Sequence, residues 1–138
     1  MSAPGAWAPI TASWGVDNRT TAVRVIPSSG KSGRVELRAP GADINPYIAI
    51  AASLAAGLDG IEREVPLPQP VKNAYTEPGA RLPGSLAEAT RRFRESATAR
   101  TWLGDDFVDH YAATREWEVR QFDKAVTNWE LARYFESI

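Results

Sequence analysis

Hydrophobic and polar positions alternate in two short stretches of the N-terminal half of the chain. In RVELR, residues 34–38, side chains alternate across a strand, so Arg34, Glu36 and Arg38 share one face while Val35 and Leu37 share the other. In TTAVRVI, residues 20–26, Ala22, Arg24 and Ile26 fall on one side and Thr21, Val23 and Val25 on the other. The β-branched content predicts strands over 20–26 and 34–38, and the intervening PSSGKSG predicts the turn of an antiparallel hairpin. One face of that hairpin is apolar and the other ionic. Pairing can bring Arg24 onto the ionic face, but the register is not fixed by the pattern.

Ahead of the hairpin, residues 1–15 are rich in Ala, Pro and Gly and read as loop or extended edge, with Trp7 and Trp14 as packing aromatics. Beyond it the period changes to that of a helix. Asn45 is an N-cap and Pro46 suits the first helical position. Tyr47, Ile50, Leu54, Leu58 and Ile61 then recur at three- and four-residue steps, a stripe expected in the core, bracing the ionic strand from behind. Residues 64–84 carry five prolines and read as a loop that reaches a neighbouring subunit or covers a site. Ser85 and Glu88 form a capping box for a helix over 86–97, with Leu86, Ala89 and Phe93 on one face and Arg91, Arg92 and Arg94 outward. Asp105 or Asp106 is expected to cap a long helix carrying Phe107, Val108, Tyr111, Ala112, Val119, Phe122 and Val126. Thr127 and Glu130 make a second capping box, and Trp129, Tyr134 and Phe135 are expected to dock the last turn on the body. The expected fold class is α+β: an antiparallel hairpin taken from a larger sheet, followed by about four helices.

Composition narrows the function. With 138 residues, 43% of them hydrophobic and 24% charged, the chain suits one domain with a modest core. It has no cysteine, which excludes disulfides and thiolate metal sites. There is no basic region followed by a long apolar stretch, and the longest apolar run, IAIAASLAAGL, is too short to span a bilayer, so a soluble, cytoplasmic protein is expected without a membrane partner. A net charge of −1 and no basic tail argue against a general nucleic-acid binder. The sole histidine, His110, sits in a predicted helix between Asp109 and Tyr111 and reads as a surface residue.

The charge is nevertheless concentrated. Arg19, Arg24, Lys31, Arg34 and Arg38 surround one carboxylate, Glu36, so residues 18–38 carry +4 and the remainder sums to −5. Burying such a face unpaired costs several kcal/mol per charge, on the order of a small protein's whole stability. It must therefore meet water, a partner chain, or an anionic ligand with a metal. The glycine-rich turn is not a P-loop, since the spacing is absent and no helix follows at once. By spacing alone, a solvated, salt-bridged strand face accounts for it.

Three segments, NRTTAVRVI, GKSGRVELR and DINPYIAIAASLAAGLDGI, resemble in order and spacing the C-terminal part of the catalytic domain of the glutamine synthetase family. The likeness covers nearly all of the chain. It implies an ATP-dependent ligase that joins glutamate to ammonia or a larger amine through γ-glutamyl phosphate, as a homo-oligomer, with Mg²⁺ or Mn²⁺. By the same resemblance Arg19 meets the phosphoryl group and the substrate, Arg24 and Lys31 hold ATP phosphates, and Arg34 lies against the nucleotide. Glu36 is implied as a metal ligand and Arg38 as the grip on the carboxylate of glutamate.

The departures from the family pattern are specific. The family's N-terminal domain, the first half of its catalytic domain, its other acidic ligands and its metal-binding histidine are not in this sequence. Met1 stands where the family has an arginine, within the pattern that here reads PGAWAP, so the reading frame is expected to begin partway through a catalytic domain. Trp7 stands where ammonia-using members carry a glutamate on a mobile flap. An indole cannot accept a proton from ammonium, and this resembles the branch that ligates glutamate to polyamines or other amines. Tyr75, in NAY, aligns with a tyrosine adenylylated in some bacterial members, without the surrounding acidic signature. The isolated 138-residue chain is expected to show negligible ligase activity. Two alternatives stand beside that reading: a non-catalytic remnant acting as an oligomerisation or interaction module, and an unrelated anion-binding domain.

Overall fold

The structure is a computed structural model that describes residues 7–135; the expectation attached to Met1 lies outside them. The chain divides into two units, residues 1–84 and 85–138. In the first, β1 (Trp14–Val16), β2 (Val23–Ile26) and β3 (Arg34–Leu37) form one sheet in that order, followed by α1 (Pro46–Glu62). The second holds α2 (Leu86–Glu95), α3 (Ala97–Leu103), α4 (Asp105–Phe122) and α5 (Asn128–Tyr134). The α+β class is borne out.

The expected hairpin is present, with Arg24 opposite Glu36 and Val25 opposite Val35. The third strand, β1, lies where the sequence predicts only loop or extended edge. It pairs parallel to β2, with Gly15 opposite Arg24. Parallel neighbours normally need a long crossover. Here β1 is three residues long, so the connection over residues 17–22 need run back only about 10 Å. The outer edge of β1 and the residues just before it are covered by the proline-rich loop: Val71 N donates to Trp14 O at 2.9 Å, Trp14 Nε1 to Pro68 O at 2.7 Å, and, ahead of the strand, Ala12 N to Ala80 O at 2.7 Å. An edge blunted in this way does not template further strands. The loop thus lies along the N-terminal segment of its own unit.

Small residues make the tightest part of this unit: Thr11, Thr20, Thr21, Ala22 and Ala74 are buried. The helix α1 begins as expected, Asn45 accepting from Tyr47 N and Ile48 N with Pro46 at its first position. Its stripe is not core. No side chain of α1 is buried, and Tyr47 is 84% and Ile61 75% exposed. The period of 3.6 identifies the apolar face of a helix but not what covers it, and none of the described residues of this unit buries it.

In the second unit α2 packs on α4, burying Thr90, Val108 and Ala112. Tyr111 takes Phe93 edge-on and stacks on Phe107, both with ring centres 5.7 Å apart. Five helices appear where about four were expected, because Ser96 ends α2 and its Oγ accepts from Ala99 N to start α3. Gly104 precedes α4, and Asp105 and Asp106 make no side-chain cap there; they lie in its first turn, where the helix dipole favours acids. The Thr127 and Glu130 capping box forms. Trp129, Tyr134 and Phe135 do not dock; all three are exposed, and Trp129 meets Tyr134 edge-on instead. His110 is exposed, and no helix among the described residues is long and apolar enough to cross a membrane.

Candidate functional site

The register Gly15, Arg24, Glu36 builds the ionic face from the middle of the sheet outward. Arg24, in the middle strand, has a side chain that reaches two acids. Nη1 donates to Glu36 Oε2 at 3.1 Å; Nε donates to Asp17 Oδ1 at 3.1 Å, and Nη2 also meets Asp17. From β3, Arg34 Nε donates to Glu36 Oε1 at 2.9 Å. Each oxygen of Glu36 therefore receives a guanidinium. The Arg24 side chain is only 14% exposed, against 54% for Arg34.

Partial burial pushes the Glu36 carboxyl up, but the hydrogen bonds from Arg34 and Arg24 outweigh it and hold the group below the ordinary carboxylate range. The hydrogen bond from Arg24 does the same for Asp17, and Asp17 in turn raises Arg24. Five cations less these two acids leave a surplus of +3. The cations outside these ion pairs are Arg19, Lys31 and Arg38. Lys31 is exposed on the turn.

Arg38 works on backbone. Nη1 donates to the carbonyls of Arg19 and Thr21, and Nη2 to Trp7 O at 2.8 Å. Three of its five donors are so used, leaving two for a ligand. Trp7 has φ 56, a left-handed conformation that costs a bulky residue about 1–2 kcal/mol. The loop is held there from both sides, by Arg38 and by the Tyr75 hydroxyl, which donates to Ala8 O at 3.1 Å.

Below this loop lies an open cleft of about 720 Å³, lined among others by Trp7, Val16, Asn18, Arg19, Val71 and Lys72. Of the six residues singled out by the sequence, only Arg19 lines it. Asn18 sets its floor: Nδ2 donates to Val71 O at 2.8 Å and Lys72 O at 2.9 Å, and Oδ1 accepts from Thr20 N and Thr20 Oγ1. The structure therefore gathers Arg24, Arg34 and Glu36 on one sheet face and ties Arg38 to the backbone of Arg19 and Trp7. It sets Arg19 in the cleft.

A divalent cation fits these residues only in part. Glu36 offers one carboxylate, and no group of three His, Cys, Asp or Glu capable of holding a metal occurs among the described residues. Hard cations take six or more oxygen ligands. The described residues do not by themselves make the site.

Residues 2–134 match the sequence profile of the glutamine synthetase catalytic domain. The chain belongs to the glutamine synthetase family. It is 50% identical to type-1 glutamine synthetase 2 of Dictyostelium discoideum over 97% of its own length, and 48% identical to a glutamate–isopropylamine ligase of a Pseudomonas species over 99%. Among solved structures, a GmaS/ADP complex superposes with a TM-score of 0.82 at 33% identity, covering 99% of this chain and 33% of that one. The chain spans 27% and 31% of the two curated relatives.

Within this glutamine synthetase frame, sequence reasoning had missed Asp17, Asn18 and the hydroxyl of Tyr75 as residues that build the site. The first two adjoin Arg19, and no spacing rule marks them. Only the short parallel return from β1 to β2 places Asp17 within reach of Arg24 and sets the Asn18 amide against the loop at 71–72.

Proposed function

We propose that this chain forms the anion-binding part of an ATP-dependent ligase that joins the γ-carboxyl of glutamate to an amine through γ-glutamyl phosphate. The observation that carries this reading is the row of Arg24, Arg34 and Glu36 on one sheet face with Arg38 and Arg19 at its end. Forming a γ-glutamyl phosphate brings a polyphosphate and two carboxylates together, and preorganised cations stabilise that charge without reorganising during the reaction. Arg24, fixed between two acids, and Lys31, free on its turn, take ATP phosphates, while Arg34 lies against the nucleotide. Arg19 meets the phosphoryl group in transfer. Arg38 uses its two remaining donors on the glutamate carboxylate.

Glu36, kept ionised by its neighbours, is one donor to Mg²⁺ or Mn²⁺. The other donors lie outside the described residues, which suits a chain that forms the C-terminal portion of a larger catalytic domain. The full assembly is a cytoplasmic homo-oligomer. Trp7 in place of an acid favours an acceptor larger than ammonia, and the relative named as a glutamate–isopropylamine ligase supports that reading.

Calorimetric titration of the purified chain with ADP and MgCl₂ tests the reading. Binding that weakens at least tenfold in Arg24→Gln supports it; a chain blind to ADP overturns it. Turnover by the 138-residue chain alone should be negligible, and robust ATP- and glutamate-dependent product formation would refute that part. A second reading, an oligomerisation or interaction module without catalysis, is favoured by the uncovered apolar stripe of α1 and the apolar face of the sheet. Discrete complexes that ignore nucleotide would decide for it.

A further inference from the structure

Asp17 stands on the β1 side of Arg24, and Glu36 on the β3 side. The backbone N–H of Asp17 donates to Val25 O at 2.9 Å, which ties the residue that follows β1 to the strand carrying Arg24. Its φ is 47, a left-handed conformation that glycine adopts freely and that Asn and Asp tolerate best among residues with a side chain. Glycine or asparagine would serve that backbone as well, so the carboxylate needs another cause. Its Oδ1 receives both Nε, at 3.1 Å, and Nη2 of Arg24, while Nη1 donates to Glu36 Oε2 at 3.1 Å. One hydrogen on each of Nη1 and Nη2 is left over.

We propose that Asp17 is a positioning residue for Arg24: it holds the guanidinium against the pull of Glu36, so that the two unused N–H groups are presented to the phosphates of a nucleotide. This rests on the reading of Arg24 as a phosphate contact. With Glu36 as its sole acid, Arg24 would be free to turn a second N–H toward that carboxylate and lie across β3. A ligand would then have to immobilise a mobile side chain, at a cost in rotamer entropy. Asp17 removes that freedom beforehand. Its own side chain is 68% exposed, so water screens its charge and it repels a phosphate weakly, whereas its hydrogen bonds act on an arginine side chain only 14% exposed. Orientation therefore outweighs repulsion. An ion pair with one partner so exposed adds little to stability, which leaves positioning as the effect to measure.

Asp17→Asn and Asp17→Gly test this in the 138-residue chain, titrated with ADP and MgCl₂ by calorimetry. Both suit the left-handed backbone; asparagine keeps an acceptor without the charge, and glycine keeps neither. Affinity should fall about threefold in the first and about tenfold in the second, the range expected when one rotamer-rich side chain must be immobilised on binding. Thermal midpoints should stay within about 3 °C of the parent, because the loss of an exposed ion pair is offset by relief of the left-handed strain. The Arg24 Nε–H, observed in the ¹⁵N-labelled chain, should exchange faster with water in Asp17→Gly, while that of Arg34, bonded to Glu36 at 2.9 Å, should not. If the glycine variant does not fold, the asparagine variant carries all three measurements. Unchanged or tighter ADP binding overturns the inference and leaves Arg24 standing as a phosphate contact, the tighter case making Asp17 a competitor of the nucleotide. A midpoint that falls in step with affinity, or an Arg24 signal indifferent to the substitution, overturns it as well. If the parent chain is blind to ADP, the phosphate reading of Arg24 falls and this inference with it.

Discussion

Replacing Asn18 by alanine removes four hydrogen bonds at once: Nδ2 to Val71 O and Lys72 O at 2.8 and 2.9 Å, and Oδ1 from Thr20 N and Oγ1 at 2.9 and 2.8 Å. The partners differ in what they lose. Thr20 is 8% exposed, so its amide and hydroxyl cannot turn to water, and the hydroxyl also accepts from Ala74 N at 2.9 Å, a fully buried bond. The carbonyl of Lys72 lies where water can replace the amide. At about 1 kcal/mol for each bond whose partner stays dry, and less for the solvated one, Asn18→Ala costs about 3 kcal/mol. In a unit of 84 residues that lowers Tm by about 10–20 °C. Thermal unfolding followed by amide exchange resolves the effect: protection at Thr20 and Ala74 should fall while that of Val108, in the other unit, stays. Asn18→Asp separates the two halves of the network, since it keeps the acceptor for Thr20 but sets a carboxylate against two carbonyls. It should be at least as damaging. A midpoint within about 2 °C of the parent in Asn18→Ala, with the Ala74 amide still protected, would refute the assignment of Asn18 as the residue that sets the floor of the cleft.

Gly15→Ala should destabilise the same unit by about 1–3 kcal/mol in urea, because an added Cβ would lie 2.8 Å from Val71 O and 2.9 Å from Asn18 Cβ; an unchanged midpoint would show that the loop yields freely. Acid unfolding tests the ion pairs. Asp17 and Glu36 have folded pKa values below their unfolded ones, so their contribution is complete above the unfolded values and is lost as pH falls through the folded ones. Arg24→Gln should therefore move the acid midpoint to higher pH, and a midpoint unmoved in circular dichroism would count against the pairing. In the second unit Val108→Ala, at a fully buried position between α2 and α4, should cost about 2 kcal/mol without altering exchange in the sheet.

What the sequence made legible follows from how local each cause is. Alternation with period two assigned the ionic and apolar faces of β2 and β3, and the structure puts Arg24 beside Glu36 on the former. Asn45, Ser85 and Thr127 announced three helix starts because a cap acts within three residues. Ser96 carries the same chemistry, yet it interrupts a run that already reads as helix, so the break before α3 was not expected. The strand WGV is too short for any pattern, and its pairing depends on the return loop and on residues more than fifty positions away. Arg38 shows the limit most plainly. Its place on the ionic face was legible, but its hold on the carbonyls of Trp7, Arg19 and Thr21 depends on where two separate loops come to rest.

The apolar surfaces left open in the first unit lead to the last prediction. The sheet face opposite the ionic one, built from Trp14, Val23, Val25, Val35 and Leu37, bounds an apolar groove of about 790 Å³, with Val35 67% and Leu37 49% exposed. The stripe of α1 adds Ile50 and Leu54 at 60% and 62%. Soluble monomers rarely leave contiguous apolar patches of more than a few hundred Å² uncovered, and covering each such side chain is worth about 1–2 kcal/mol. Four or five of them closed at once outweigh the entropy of association at micromolar concentration. The purified chain should therefore self-associate in size exclusion between about 1 and 100 µM. The double variant Ile50→Asp, Leu54→Asp should elute nearer the monomer, and Val35→Thr should move it less, since one strand residue removes less apolar area than two helical ones. A parent chain that stays monomeric over that range would show these faces to be stable in water, and the apolar stripe of α1 would then need a cause other than burial.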